Sequence, residues 1–303
     1  MSQPVLAGVD GSEYSLAAAE WAAREAVLRE VPLRLLHAAP PLPGVAVPAS
    51  AGETLRRVGE RIVRQAAADL GARHPGLRVR GGQIDEAPAE ALLSAARDAG
   101  LLVVGARGSG GFDGLAVGSV TLRVVAAADC PVVVVPRRPP GGFGNGPRPA
   151  GAALQVVLGF DAHRPVDEVA DFAFAAARAR GAVLRVVQAW ALPAEAVSPR
   201  TLFVTEEDRA TWEDQEDLRL ADALRTRQER FPEVTVRADV VLLHPAEALL
   251  NTSREAGLLV MGRRADRCGG QGRLGPVTHA VLHHARCPVT VVPHAGRPTG
   301  ESR

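Results

Sequence analysis

Residues 99–120 read AGLLVVGARGSGGFDGLAVGSV, and this stretch decides the fold. Leu101, Leu102, Val103 and Val104 form a short apolar run with no polar alternation, as expected of a strand buried on both faces of a parallel sheet. The run ends in Gly105-Ala106-Arg107-Gly108-Ser109, and Gly118-Ser119-Val120 then opens a helical pattern that continues to residue 128. Glycines let a backbone come close to a phosphate chain and adopt positive φ where a turn needs it. The opening of a helix presents free N–H groups and the positive end of its dipole to an anion. A strand, a Gly-rich connection and a helix N-terminus in that order predict a phosphate-binding corner at the carboxyl end of a parallel strand.

Working outward, the same text occurs twice. Residues 99–105 (AGLLVVG) return as 256–262 (AGLLVMG), and 129–136 (DCPVVVVP) return as 286–293 (RCPVTVVP), both 157 positions later. The openings also echo, VLAGVD at 5–10 and VVLGFD at 156–161. A repeat this long exceeds solenoid periods, so the chain reads as two domains. They are bounded at 1–138 and 152–295, with the Gly/Pro-rich segment 139–151 (PPGGFGNGPRPAG) as linker.

Each half alternates short apolar runs with helical patterns. Strands are predicted at 5–10, 33–38, 77–84, 101–105 and 132–135, and again at 155–160, 183–189, 234–242, 258–262 and 289–292. The alternation implies right-handed βαβ units. The fold class is therefore α/β: two tandem domains, each a five-stranded parallel sheet flanked by helices on both faces. The two closing strands are apolar edges that seek a partner, each other within the chain or the same edge of a second copy in a homodimer.

Composition narrows the chemistry. All 35 basic residues are arginines, which removes a Walker A loop, a Schiff-base enzyme and any lysine grip on phosphate. Phosphates must then be held by backbone N–H groups, hydroxyls and arginine, with Arg107 the candidate inside the loop. A formal net charge of +1, with both signs interspersed, carries no nucleic-acid or polybasic membrane signature. Three cysteines without a CxxC pair, and no leader-like or membrane-spanning run, place the expected locale in the cytoplasm. His279 and His283 have the i,i+4 spacing that can hold zinc, but no third ligand completes a set, and no metal site is expected.

At GVDGS (8–12), at GARGSGGFDGLAVGSV (105–120) and at CPVVVV (130–135), the chain resembles the ATP-binding members of the universal stress protein family. The resemblance spans both halves. It implies a Rossmann-like, HUP-type domain that binds ATP, with or without Mg, as a regulator rather than an efficient enzyme. Carried over by position, Gly8, Val9 and Asp10 would border adenine and ribose, and the backbone at Ala38 would meet the adenine edge. Gly105, Gly108, Gly118, Ser119 and Val120 would surround the phosphates. The second half departs from the pattern: His163 follows Asp161-Ala162, Ala265 stands at the second loop glycine, and Pro276 replaces the hydroxyl residue. Proline suits the first turn of a helix but removes an N–H and a hydroxyl from an anion site. A degenerate second site is therefore expected. Arg263, Arg264, Arg267 and Arg273 in its loop could attract phosphate but read first as solvated surface, and the charged stretch 206–230 reads first as a solvated helix face, with a partner surface as the alternative. Two other readings remain open: a slow ATPase or nucleotidyl-transferring enzyme of related fold, and an interaction module with vestigial pockets.

Overall fold

A computed structural model describes residues 3–39, 49–109, 116–136, 155–191, 205–265 and 274–295. The 139–151 linker, Gly110, Gly111, Arg267, Cys268 and Arg273 lie outside them. The chain divides into two compact units.

In the first unit, β1 (Val5–Gly8), β2 (Leu33–Ala38), β3 (Val79–Ile84), β4 (Leu101–Gly105) and β5 (Val132–Val135) are all parallel, in the order β3-β2-β1-β4-β5. Both β4 and β5 are buried along their whole length, which is why their sequences are unbroken apolar runs. The edge strand β3 is largely exposed and reads VRGGQI accordingly. Helices α1 (Glu13–Leu28) and α2 (Ala49–Arg73) cover one face; α3 (Pro88–Ala96) and α4 (Ser119–Ala127) cover the other. Helix α1 approaches the sheet closely because its buried stripe is Ala18, Ala19, Ala22, Ala23 and Ala26. At the outer side, α2 meets β3 through Gly81, where a Cβ would fall on Val63 Cγ1.

The first unit also takes in β10 (Val289–Ala295), the closing strand of the second repeat. It runs antiparallel to β5, with Val289 opposite Val134, Thr290 opposite Val133 and Val291 opposite Val132. The two apolar edges thus satisfy each other's backbone groups within one chain.

The second unit holds β6 (Gln155–Gly159), α5 (Asp167–Arg180), β7 (Val183–Trp190), α6 (Glu206–Arg230), β8 (Val236–Leu242) and α7 (Pro245–Thr252). It also contains β9 (Leu258–Ala265) as far as Gly262, and α8 (Pro276–His284). Its strands are parallel in the order β9-β6-β7-β8. Helix α5 ends on Gly181 in the left-handed region (φ 55°), with Ala182 N–H donating to Ala177 O at 2.9 Å. Helix α6 begins with a capping box between Thr205 and Asp208. Among the described residues, no helix is long and apolar enough to cross a membrane.

Candidate functional site

The topology of the first unit fixes where a ligand can sit. From β1 the chain moves outward to β2 and β3, then returns to the other side of β1 as β4. The switch point is therefore the gap between the carboxyl ends of β1 and β4. Strand register puts the candidate residues in one row there. Gly8 lies beside Leu36 and Ala7 beside Val103, so Asp10 is level with Ala38 and Val9 with Gly105.

Asp10 organises this corner. The turn after β1 uses Gly11 at φ 81°, a conformation that side chains disfavour. The turn lets Ser12 N–H and Ser12 Oγ both donate to Asp10 Oδ1, at 3.0 and 2.6 Å. Ser12 also caps α1, its Oγ accepting from Ser15 N–H at 3.2 Å. The other carboxylate oxygen, Asp10 Oδ2, accepts from Ser109 N–H at 2.6 Å and ties the Gly-rich segment to β1 across the switch point. Partial burial pushes the Asp10 carboxyl upward, but the hydrogen bonds from Ser12, Ser109 and Ser15 outweigh it, and its pKa lies below the ordinary 3.8.

The three loop glycines are needed for different reasons. At Gly105 a Cβ would lie 2.8 Å from the Tyr14 carbonyl, inside α1. The expected reason, room for phosphate, is therefore corrected to close packing of α1 on β4. At Gly108 a Cβ would lie 2.6 Å from Asp10 Oδ2, so this glycine is what admits the Ser109–Asp10 bond. A Cβ at Gly118 would meet none of the described residues closer than 3.7 Å, and its φ of −81° is open to any residue. Gly118 N–H donates to Ala106 O at 2.8 Å, which folds the segment back so that α4 starts beside β4. Thr121 Oγ1 donates to Gly105 O at 2.8 Å and fixes the same joint from inside.

Helix α4 then opens towards the corner with no side-chain cap; Ser119 is exposed, and Val120 and Arg107 are half-buried. The Arg107 guanidinium carbon sits 5.9 Å from the centre of the Tyr14 ring. His37, one residue before Ala38, donates from Nδ1 to Val9 O at 2.8 Å and braces β1 against β2. The structure thus gathers Val9, Asp10, Ala38, Gly105, Gly108, Gly118, Ser119 and Val120 at one end of the sheet. Sequence reasoning missed Ser109, Thr121 and His37. Only Ser109 carried a signal, its place directly after Gly108.

The second repeat differs. Asp161 Oδ1 still accepts from His163 N–H at 3.0 Å, and its Oδ2 takes Arg164 Nε at 3.3 Å. Helix α5 starts only at Asp167, three positions later than α1 by the register of the repeats, and Val166 gives it no side-chain cap. Two solvated-surface readings are corrected. Arg263 is buried, its Nη2 donating to Ala128 O at 2.6 Å, because a carbonyl at the end of α4 is there to receive it. Glu216 in the charged stretch is also buried, at 9% exposure.

Comparison with known proteins agrees with this architecture. The profile of the universal stress protein family matches residues 1–136 and again 154–293. A universal stress protein of Mycolicibacterium smegmatis is 34% identical over 304 residues, covering 95% of this chain and 96% of that one. One from Mycobacterium tuberculosis is 33% identical over 308 residues, covering 96% and 99%. The crystal structure of a universal stress protein from Archaeoglobus fulgidus has the same fold, with a TM-score of 0.68 at 17% identity over 97% of this chain and 99% of that one. The tandem α/β chain described here belongs to the universal stress protein family.

Proposed function

We propose that the first unit binds ATP, with or without Mg, at the corner between β1 and β4, and that the chain acts in the cytoplasm as a nucleotide-dependent regulator in stress response. One observation carries the reading: the Ser109–Asp10 bond ties the end of β4 to the turn after β1 at the switch point, while α4 starts beside it with no side-chain cap among the described residues. Free N–H groups at a helix start suit a phosphate. A Cβ at Gly118 would meet none of the described residues closer than 3.7 Å, which leaves a phosphate chain room to approach the backbone there. Ser119 adds a hydroxyl donor and Arg107 a cation, in a chain without lysine. Val9 and the end of β2 at Ala38 supply the apolar edge for the base.

A regulatory role fits the groups present better than rapid catalysis. The carboxylate in the corner already accepts from Ser12 and Ser109, so it is a poor general base. Any ATP hydrolysis is expected to be slow. ATP titration by calorimetry, with native mass spectrometry of the purified chain, tests the proposal. Micromolar or tighter binding of one ATP is expected; absence of both retained nucleotide and titratable binding would overturn it.

A further inference from the structure

Helix α4 carries the N-terminus that the phosphate corner would use, yet little of the helix is buried. Of its nine residues, Thr121, Val124 and Val125 are the buried ones. The ion pair of Arg123 with Glu90 on α3 joins two exposed side chains and adds little. A helix this short has little stability of its own in water. Where α4 sits therefore depends on what holds its two ends.

The near end is held from within the first repeat: Gly118 N–H donates to Ala106 O and Thr121 Oγ1 to Gly105 O, both at 2.8 Å. The far end is held by a side chain of the second repeat. Helix α4 stops at Ala128, whose N–H still donates to Val124 O at 2.9 Å while its ψ of 142° turns the chain out of the helix. The Ala128 carbonyl accepts from Nη2 of Arg263, 135 positions later, at 2.6 Å. Arg263 lies near the end of β9, in the part of that strand that belongs to the first unit. It is 6% exposed, and burying a guanidinium is costly unless hydrogen bonds compensate it. A cation at the end of a helix also complements the helix dipole. At the same place in the first repeat, 157 positions earlier, stands Ala106, which has no side-chain donor.

We infer that Arg263 is a positioning residue for the nucleotide corner of the first unit. The inference rests on the proposed nucleotide reading. Arg263 acts through α4: with the far end anchored, the first-turn N–H groups stay at one distance from the corner. Hydrogen bonds weaken steeply once distance and angle leave their normal range, so a helix free to pivot about its start binds phosphate poorly. The repeat that carries Pro276 in place of a phosphate donor thereby serves the site that keeps Ser119.

Calorimetric ATP titration of the full chain, with Arg263→Met and Arg263→Lys, tests the inference. Methionine keeps most of the stem and removes the donor; lysine keeps a donor and the charge. Arg263→Met is expected to bind ATP at least tenfold more weakly than wild type, and Arg263→Lys at least threefold more tightly than Arg263→Met. A smaller loss in the first, or a smaller recovery in the second, overturns the inference and leaves the proposed function standing. A wild type that binds no ATP brings down the proposed function and the inference with it. Should Arg263→Met not fold, the wild-type chain decides, because coupling between the corner and the far end of α4 is reciprocal. Saturating ATP is expected to slow hydrogen exchange of the Ala128 amide at least threefold, and any smaller slowing overturns the inference.

Discussion

Asp10 Oδ2 accepts a hydrogen bond of 2.6 Å from the backbone N–H of Ser109, a residue 99 positions later in the chain. This contact fastens the Gly-rich segment after β4 to the turn after β1. Asp10→Ala should lower both stability and nucleotide affinity. Hydrogen bonds to a charged group contribute about 1.5–3 kcal/mol each, and a loss of about 2–4 kcal/mol allows for relaxation of the loop. Urea unfolding and ATP titration of the same preparation check it. Wild-type values in both would remove Asp10 from its organising role.

The same carboxylate predicts a pH dependence. Its folded-state pKa lies below the ordinary 3.8 because the donors at Ser12 and Ser109 favour the ionised form. A depressed carboxyl contributes stability above the unfolded pKa and loses it as pH falls through the folded one. Asp10→Asn should therefore be less stable than wild type at neutral pH, with a gap that narrows only below about pH 4. Chemical denaturation of the two chains between pH 7 and pH 3 gives the comparison. A gap that widens towards acid would reverse the sign of the argument.

The loop glycines should separate into three behaviours. Gly105→Ala drives a methyl into the Tyr14 backbone and should destabilise the first unit by about 1–3 kcal/mol through overpacking. Gly108→Ala pushes Asp10 Oδ2 away from Ser109 and should weaken ATP binding about tenfold or more, with a smaller fall in melting temperature than Asp10→Ala, since the bonds from Ser12 remain. Gly118→Ala meets none of the described residues closer than 3.7 Å and should fold normally, so any loss of ATP affinity there reports the ligand itself. Thermal melts paired with titrations distinguish the three. Equal effects at all three positions would contradict this division.

Burial makes Cys130 and Cys287 poor nucleophiles: it pushes their thiols up to about 11 and about 12 respectively. Neither should react appreciably with a thiol reagent at pH 8 in the native chain, and both should react on unfolding. Peptide mapping after labelling assigns the sites. Rapid native labelling at either position would show that it is more accessible than the packing indicates.

Thr290 faces Val133 across the β5–β10 ladder, fully buried, and its Oγ1 has no hydrogen-bond partner among the described residues. Replacing such a hydroxyl with a methyl of similar shape removes a desolvation penalty. Thr290→Val should stabilise the chain by about 1 kcal/mol in denaturant unfolding. Destabilisation would mean that the hydroxyl has a partner in solution.

The sequence by itself determined the local and the repeated. Leu101–Val104 and Val132–Val135 have no polar alternation, and that alone marks strands with two covered faces. The 157-residue echo gives two copies of one plan, and the strand, glycines and helix start of 99–120 give the place where an anion would be met. These features are legible because side-chain periodicity records which faces of a local element are buried. Tertiary structure decided whatever depends on a distant partner. Nothing in 206–230 distinguishes Glu216 from the other acids of that helix until Gln188 and His163 are brought to it. Gly105 reads as a phosphate glycine until Tyr14 is found against it, and the closing strand of the second repeat reads as an edge until it meets β5. The physical reason is common to all three: a charge, a glycine or an apolar edge is compatible with several environments, and only the neighbour supplied by topology selects one.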